Sequence, residues 1–167
     1  GMLLLLTFIW IGGRRINNFF VNRGDQAMQA QDYQVARSDY TWAIRVDWHD
    51  AHAYLNRGYA LQNLNNDERA VRDFSKYIEL QPAQAAGYLA RAMSQARLGH
   101  KAEAIGDFSA AIERDPTNPV AFAGRARAQA DLERWQPAVE DMSTALRLRP
   151  SQPDYLLDRA RYYSQLD

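Results

Sequence analysis

Five arginines recur at a spacing of 34 residues: Arg23, Arg57, Arg91, Arg125 and Arg159. A guanidinium placed at such intervals can do two kinds of chemistry. It can build a cationic ladder for phosphate or nucleic acid, or it can pair with carboxylates that fit its planar fork. A second series, Asp39, Asp73, Asp107 and Asp141, follows the first four arginines at a constant distance of 16 residues. If the two series lie in the middle of successive antiparallel helices, each arginine meets the aspartate of its own hairpin. The pairing is therefore expected to be a structural clamp. Arg159 has no counterpart, because the chain ends first.

Other chemistry-bearing residues are sparse. No Gly-rich phosphate loop, serine elbow or HExxH motif is present. His49 and His52 stand three residues apart with no evident third ligand, so a metal site is not expected there. Asp67 and Glu68 read as the first turn of a helix, where negative charge complements the helix dipole. The expectation is a chain that is not an enzyme and takes no cofactor or metal.

Composition points the same way. Of 167 residues, 47% are apolar and only six are proline, enough for a real core and too few breakers for disorder. Alanine, glutamine, arginine and leucine outnumber valine and isoleucine, which favours helix over strand. There is no cysteine, so disulfides and thiolate metal sites are excluded. Formal net charge is zero, and no nucleic-acid partner is expected.

The elements that must position the arginines appear when the chain is laid in rows of 34 from Asn17, Ala51, Ala85, Pro119 and Pro153, with no insertion or deletion. Position 8 of the rows reads Gly24, Gly58, Ala92, Ala126 and Ala160, and position 20 reads Ala36, Ala70, Ala104 and Ala138. Small side chains there let two helices approach closely. Position 24 is bulky (Tyr40, Phe74, Phe108, Met142), and position 28, one turn on, is Ile44, Ile78, Ile112 and Leu146. Position 32 is Trp48, then Pro82, Pro116 and Pro150, where proline ends a helix. Pro119 and Pro153 open helices, and Asn118 can cap the helix at Pro119. First helices are thus predicted near 17–30, 51–64, 85–98, 119–132 and 153–165, and second helices near 33–47, 67–80, 101–114 and 135–148. One hairpin cannot bury its own apolar face, so neighbours must stack.

The unbroken 34-residue register, with its small, aromatic and proline positions, resembles the tetratricopeptide repeat family over 17–167. Two departures stand out. Position 4 holds Phe20, Tyr54, Tyr88, Phe122 and Leu156 rather than tryptophan, and the first repeat has Ala27 and Trp48 at atypical places. The resemblance implies an all-α fold of the alpha-alpha superhelix class, a right-handed solenoid of helix hairpins. It implies repeats at 17–50, 51–84, 85–118 and 119–152, and a C-terminal cap helix at 153–167.

The resemblance also implies a function: a scaffold that binds a protein, peptide or partner helix in a concave groove lined by the first helices. Family groove positions carried onto this sequence give Asn22, Asp25, His52, Leu55, Asn56, Tyr59, Leu89, Met93, Arg127 and Arg161 as candidate peptide-binding residues. Their centre reads as apolar with a few amides, with one end made basic by Arg127 and Arg161. Some family members clamp a C-terminal carboxylate. Here those positions read Val21, Asp25, Asn56, Ala86 and Ala90, and only Asn56 fits.

The first residues are a separate problem. Gly1 before Met2 is read as a cloning scar, and residues 2–11 (MLLLLTFIWI) are almost wholly apolar within an N-terminal segment at 1–16. Ten helical residues rise about 15 Å, half a bilayer core. Three readings stand: self-association, with the segment plugging its own groove or a second copy; the stump of a longer signal or membrane anchor; or an ordinary cap. The corresponding alternative function is an assembly factor anchored at a membrane or envelope, and localisation is cytoplasmic or membrane-associated.

Overall fold

The computed structural model describes residues 2–166, with side chains from 13 to 166. Its helices are α1 (Met2–Gln29), α2 (Tyr33–Val46), α3 (Ala51–Asn63), α4 (Asp67–Leu80), α5 (Ala85–Arg97), α6 (Lys101–Arg114), α7 (Pro119–Ala130), α8 (Trp135–Leu148) and α9 (Pro153–Tyr163). The fold is all-α, as the register requires. The chain forms two compact units, Gly1–Pro82 and Ala83–Asp167. In the first, α1 packs on α2, α2 on α3 and α3 on α4; in the second, α5 to α9 pack in the same consecutive manner.

Helix ends follow local chemistry. The aspartate side chains of Asp32 and Asp50 accept from the Val35 and Ala53 amides at 3.2 and 3.1 Å, and Asn118 accepts from Val120 at 3.0 Å. At the far ends of the second helices, Gln81, Asp115 and Arg149 precede proline and leave the helical region, with φ near −136, −139 and −140°. Asp47 adopts the same φ of −136° before Trp48, so the packing imposes the turn without the ring.

All four first-to-second helix turns close alike, by a rule the sequence did not advertise. Position 15 of each repeat lies in the left-handed region: Gln31 (φ 59°), Asn65 (55°), Gly99 (83°) and Glu133 (57°). In each case two amides turn back onto the helix. Asn65 and Asn66, for example, donate to the Gln62 and Leu61 carbonyls at 3.0 and 2.8 Å. Glycine is the natural residue there, yet three repeats do without it.

One boundary differs from the expected one. The register starts the first helix near 17, whereas α1 runs unbroken from Met2. No proline interrupts the run, and glycines such as Gly12 and Gly13 weaken a helix by only about 1 kcal/mol each. The side chains of residues 1–12 lie outside the described residues, and so do the three readings of the apolar segment. Among the described residues, no helix is long and apolar enough to cross a membrane.

The core is built from small residues facing large ones. Ala36, Ala43, Ala53 and Ala60 surround the fully buried Tyr40 in the first unit, and Ala126, Ala138 and Ala145 surround Met142 in the second. Where position 8 is glycine, the ring takes the Cβ space. A Cβ on Gly24 would stand 2.7 Å from Tyr40 Cε1, and one on Gly58 would collide with Phe74. Where position 8 is Ala92, the ring of Phe108 instead occupies the space beside Gly124, on the first helix of the next repeat.

Each hairpin carries the expected clamp. Arg57 Nε and Nη2 donate to Asp73 Oδ2 and Oδ1, both at 2.7 Å. Arg91 meets Asp107 at 2.6 and 2.8 Å, and Arg125 meets Asp141 at 2.7 Å twice. Arg23 grips Asp39 in the same two-point fashion. Hydrogen bonding to the carboxylates pushes the Arg91 and Arg125 guanidiniums above their ordinary range. The remaining nitrogen crosses to the preceding repeat: Arg57 Nη1 donates to Thr41 Oγ1 at 3.3 Å, and Arg125 Nη1 to Ser109 Oγ at 2.9 Å.

Two outcomes test this account. Asp73→Ala strands the Arg57 guanidinium, whose side chain is only 20% exposed, and is expected to cost about 2–3 kcal/mol in urea unfolding. Replacing both partners by leucine should cost less than the single change. Glu133→Gly should stabilise the chain by about 0.5–1 kcal/mol, since it relieves a left-handed backbone.

Candidate functional site

The candidate groove residues divide between the two units. In the first, Asp25 on α1 meets His52 and Asn56 on α3, together with Tyr40 from α2. The Tyr40 hydroxyl donates to Asp25 Oδ1 at 2.6 Å, and Asn56 Nδ2 donates to the same oxygen at 3.1 Å. His52 Nε2 stands 2.9 Å from Asn56 Nδ2 and 3.4 Å from Asp25 Oδ1. That nitrogen can serve only one of them. Unprotonated, it accepts from Asn56; protonated, it donates to Asp25.

This network changes the expected character of the face. Asn56 appears in the sequence as an amide ready for a ligand backbone, but its donors already point at Asp25 and His52. Leu55 is half-buried and Asn22 exposed on the same side. Tyr59 is also half-buried, its ring edge-on to Phe74 at 5.4 Å, and burial raises its hydroxyl above the ordinary tyrosine range. Tyr40 was read from the sequence only as a filler of the hairpin. Its hydroxyl reaches the groove because a tyrosine at position 24, unlike phenylalanine, extends one polar atom past the core. The two histidines part company: His49 lies against the Trp48 ring, while His52 joins the network.

In the second unit the face is apolar. A cavity of about 300 Å³ is bounded by Met93 and Ala96 from α5, Val120 and Ala123 from α7, and Tyr155 from α9. Met93 is 39% exposed at its wall, whereas Leu89 packs against the Phe108 cluster. Lys101 and Asp131 pair at its edge. Arg127 also lines it, but its Nε donates to Asp158 Oδ2 at 2.8 Å. Arg161 Nη1 lies 3.6 Å from the other oxygen of Asp158. The basic end expected from Arg127 and Arg161 is therefore partly offset by one shared carboxylate. Asp158 belongs to position 6 of the last row, and nothing in a single sequence shows that it stands between two arginines.

The Tyr40 hydroxyl is pushed well above the ordinary tyrosine value of 10, first by burial and then by its bond to Asp25. The unfolded chain loses this proton near the ordinary value while the folded chain keeps it. Stability is thus intact below pH 10 and falls as pH rises beyond it. Tyr40→Phe should cost about 1 kcal/mol at neutral pH and shallow the alkaline loss, as followed by denaturant unfolding from about pH 8 to 11.

Comparison with known proteins agrees with the architecture. No curated protein matches the chain by sequence. Among solved structures, MamA 41-end from Desulfovibrio magneticus RS-1 superposes with a TM-score of 0.80 at 18% identity, covering 90% of this chain and 90% of that one. The Arabidopsis OM64 TPR domain gives 0.69 at 24% identity, covering 71% of this chain and 98% of that one. The second TPR domain of human RPAP3, solved in complex with the HSP70 peptide SGPTIEEVD, gives 0.64 at 26% identity, covering 66% and 92%. The tetratricopeptide repeat model matches residues 21–85 and 60–119, more than half of the sequence. With the 34-residue register and the hairpin clamps, this places the chain in the tetratricopeptide repeat family.

Proposed function

We propose that this chain is a non-catalytic protein-interaction scaffold, and that the first helices of its second unit take an apolar peptide or partner helix. The observation that carries the reading is the cavity between α5, α7 and α9. It joins Met93, Ala96, Val120 and Ala123 to the polar rim of Lys101, Arg127 and Asp131. An apolar floor with a few oriented polar groups is what a peptide anchor residue requires. The RPAP3 domain, solved with a peptide, supports the class of ligand.

The ligand favoured here is not an acidic chain terminus. The positions that clamp a terminal carboxylate in some family members hold Val21, Asp25, Ala86 and Ala90. Asp25 would repel such a group, and Arg127 and Arg161 already share Asp158. An amphipathic segment with one or two large apolar side chains suits the cavity better.

Peptides selected on the full chain from a displayed random library should be rich in apolar residues. They should lose at least about tenfold in affinity for Met93→Glu, measured by calorimetry. Met93 is 39% exposed, so the substitution should leave the helical circular dichroism intact. Equal affinity for the variant would remove this cavity as the binding site.

A further inference from the structure

A cluster of arginines outside the clamps lies between the second helices of the first unit. A cavity of about 500 Å³ opens between α2 and α4, with α3 as its floor. Arg37 and Arg45 reach it from α2, Arg69 and Arg72 from α4, and Arg57 from below. Arg57 is clamped to Asp73, the one carboxylate in the lining. No salt bridge among the described residues engages Arg37, Arg45, Arg69 or Arg72. None of the four belongs to the 34-residue arginine series.

Spacing explains the gathering. Arg37, Thr41 and Arg45 are successive i, i+4 neighbours on one side of α2, and Arg69 and Arg72 are i, i+3 neighbours on α4. Like charges assembled without counter-ions oppose folding, so the site is poised to gain from an anionic occupant. Trp42, 47% exposed, stands at the same cavity. Its ring is stacked on Phe20, with centroids 6.0 Å apart, and carries the Arg45 guanidinium 4.6 Å above it.

We infer that this α2–α4 cavity is a second docking site, one that takes an acidic segment of a partner protein. Carboxylates would engage the paired arginines of the two helices, and an aliphatic side chain between them would rest on the exposed edge of Trp42. Guanidiniums facing each other across a cavity suit carboxylates on alternating side chains. A nucleic acid fits less well. Base stacking needs a free aromatic face and a continuous cationic track. The indole here is already engaged by Phe20 and Arg45, and the cavity is bounded by three helices. This site is separate from the groove of the second unit and does not depend on it.

A dye-labelled peptide of alternating glutamate and leucine, titrated into the full chain and followed by fluorescence anisotropy, tests the inference. The peptide should bind, weaken with added salt, and lose affinity about tenfold with Arg69→Glu/Arg72→Glu. Met93→Glu should leave this binding unchanged. Both arginines are exposed on α4, and thermal melting should show the variant folded. Arg37→Gln, on the opposite helix, gives an independent reading with an expected loss of about threefold. The inference is overturned if the peptide does not bind or its glutamine version binds equally. It is overturned likewise if an oligothymidine of equal charge binds more tightly, or if the arginine variants bind like the parent.

Discussion

A carboxylate enclosed between two helices must be matched, because an unpaired buried charge is far costlier than the pair is stabilising. Asp39, Asp73, Asp107 and Asp141 are all buried, Asp39 completely. Each is held at two points by the arginine of its own hairpin. The consequence is geometric as much as energetic. Two parallel N–H to oxygen bonds admit one sliding position and one rotation of the second helix against the first. The ring at position 24 and the small residue opposite it then fall into contact. Where a guanidinium has a third nitrogen to offer, the Thr41 and Ser109 hydroxyls extend the constraint to the preceding repeat.

With the hairpins set this way, the first helices are left to vary on their outer side, and the two units use that freedom differently. In the first unit, Asp25, His52 and Asn56 satisfy one another, and Tyr40 connects them to the core. A ligand there would have to displace internal hydrogen bonds. In the second, Met93, Ala96, Val120 and Ala123 form the apolar wall of a cavity whose charged residues, Lys101, Arg127 and Asp131, are paired at its rim. Burial of an apolar side chain there displaces water at little polar cost. The contrast is why the proposed peptide site belongs to the second unit although candidate residues come from both.

Charge follows a similar logic. The chain is neutral overall, with 20 basic and 20 acidic residues. That balance conceals segregation. Four arginines are neutralised inside hairpins, Arg127 and Arg161 share Asp158, and four others converge on α2 and α4 outside any salt bridge among the described residues. A formal sum cannot report such a distribution, since two helices distant in sequence must face each other before the local field exists.

The register was legible in the residues alone because 34-residue periodicity is a property of the chain. Arg57 and Asp73 recur with their equivalents whatever the fold does. Steric and helical rules then leave few ways to read Gly58 beside Phe74 or Pro82 after a helix. Helix boundaries, the Asn118 cap and the four clamps follow from these local constraints. Position 15 was not legible: Gln31, Asn65 and Glu133 share no residue type, and their left-handed backbone is imposed by the closing hairpin. The start of α1 escaped for a related reason, since an apolar run carries no stop signal of its own. The sites depended on tertiary structure most of all. That Asn56 is occupied and that Asp158 holds Arg127 are contacts between different helices, with partners 31 residues apart, and Arg37 and Arg72 line one cavity from two helices. Repetition determined from sequence which arginine and which aspartate meet in each hairpin. Only packing decided which outward side chains meet, because those positions are free of the repeat's constraints and their chemistry arises from neighbours in space.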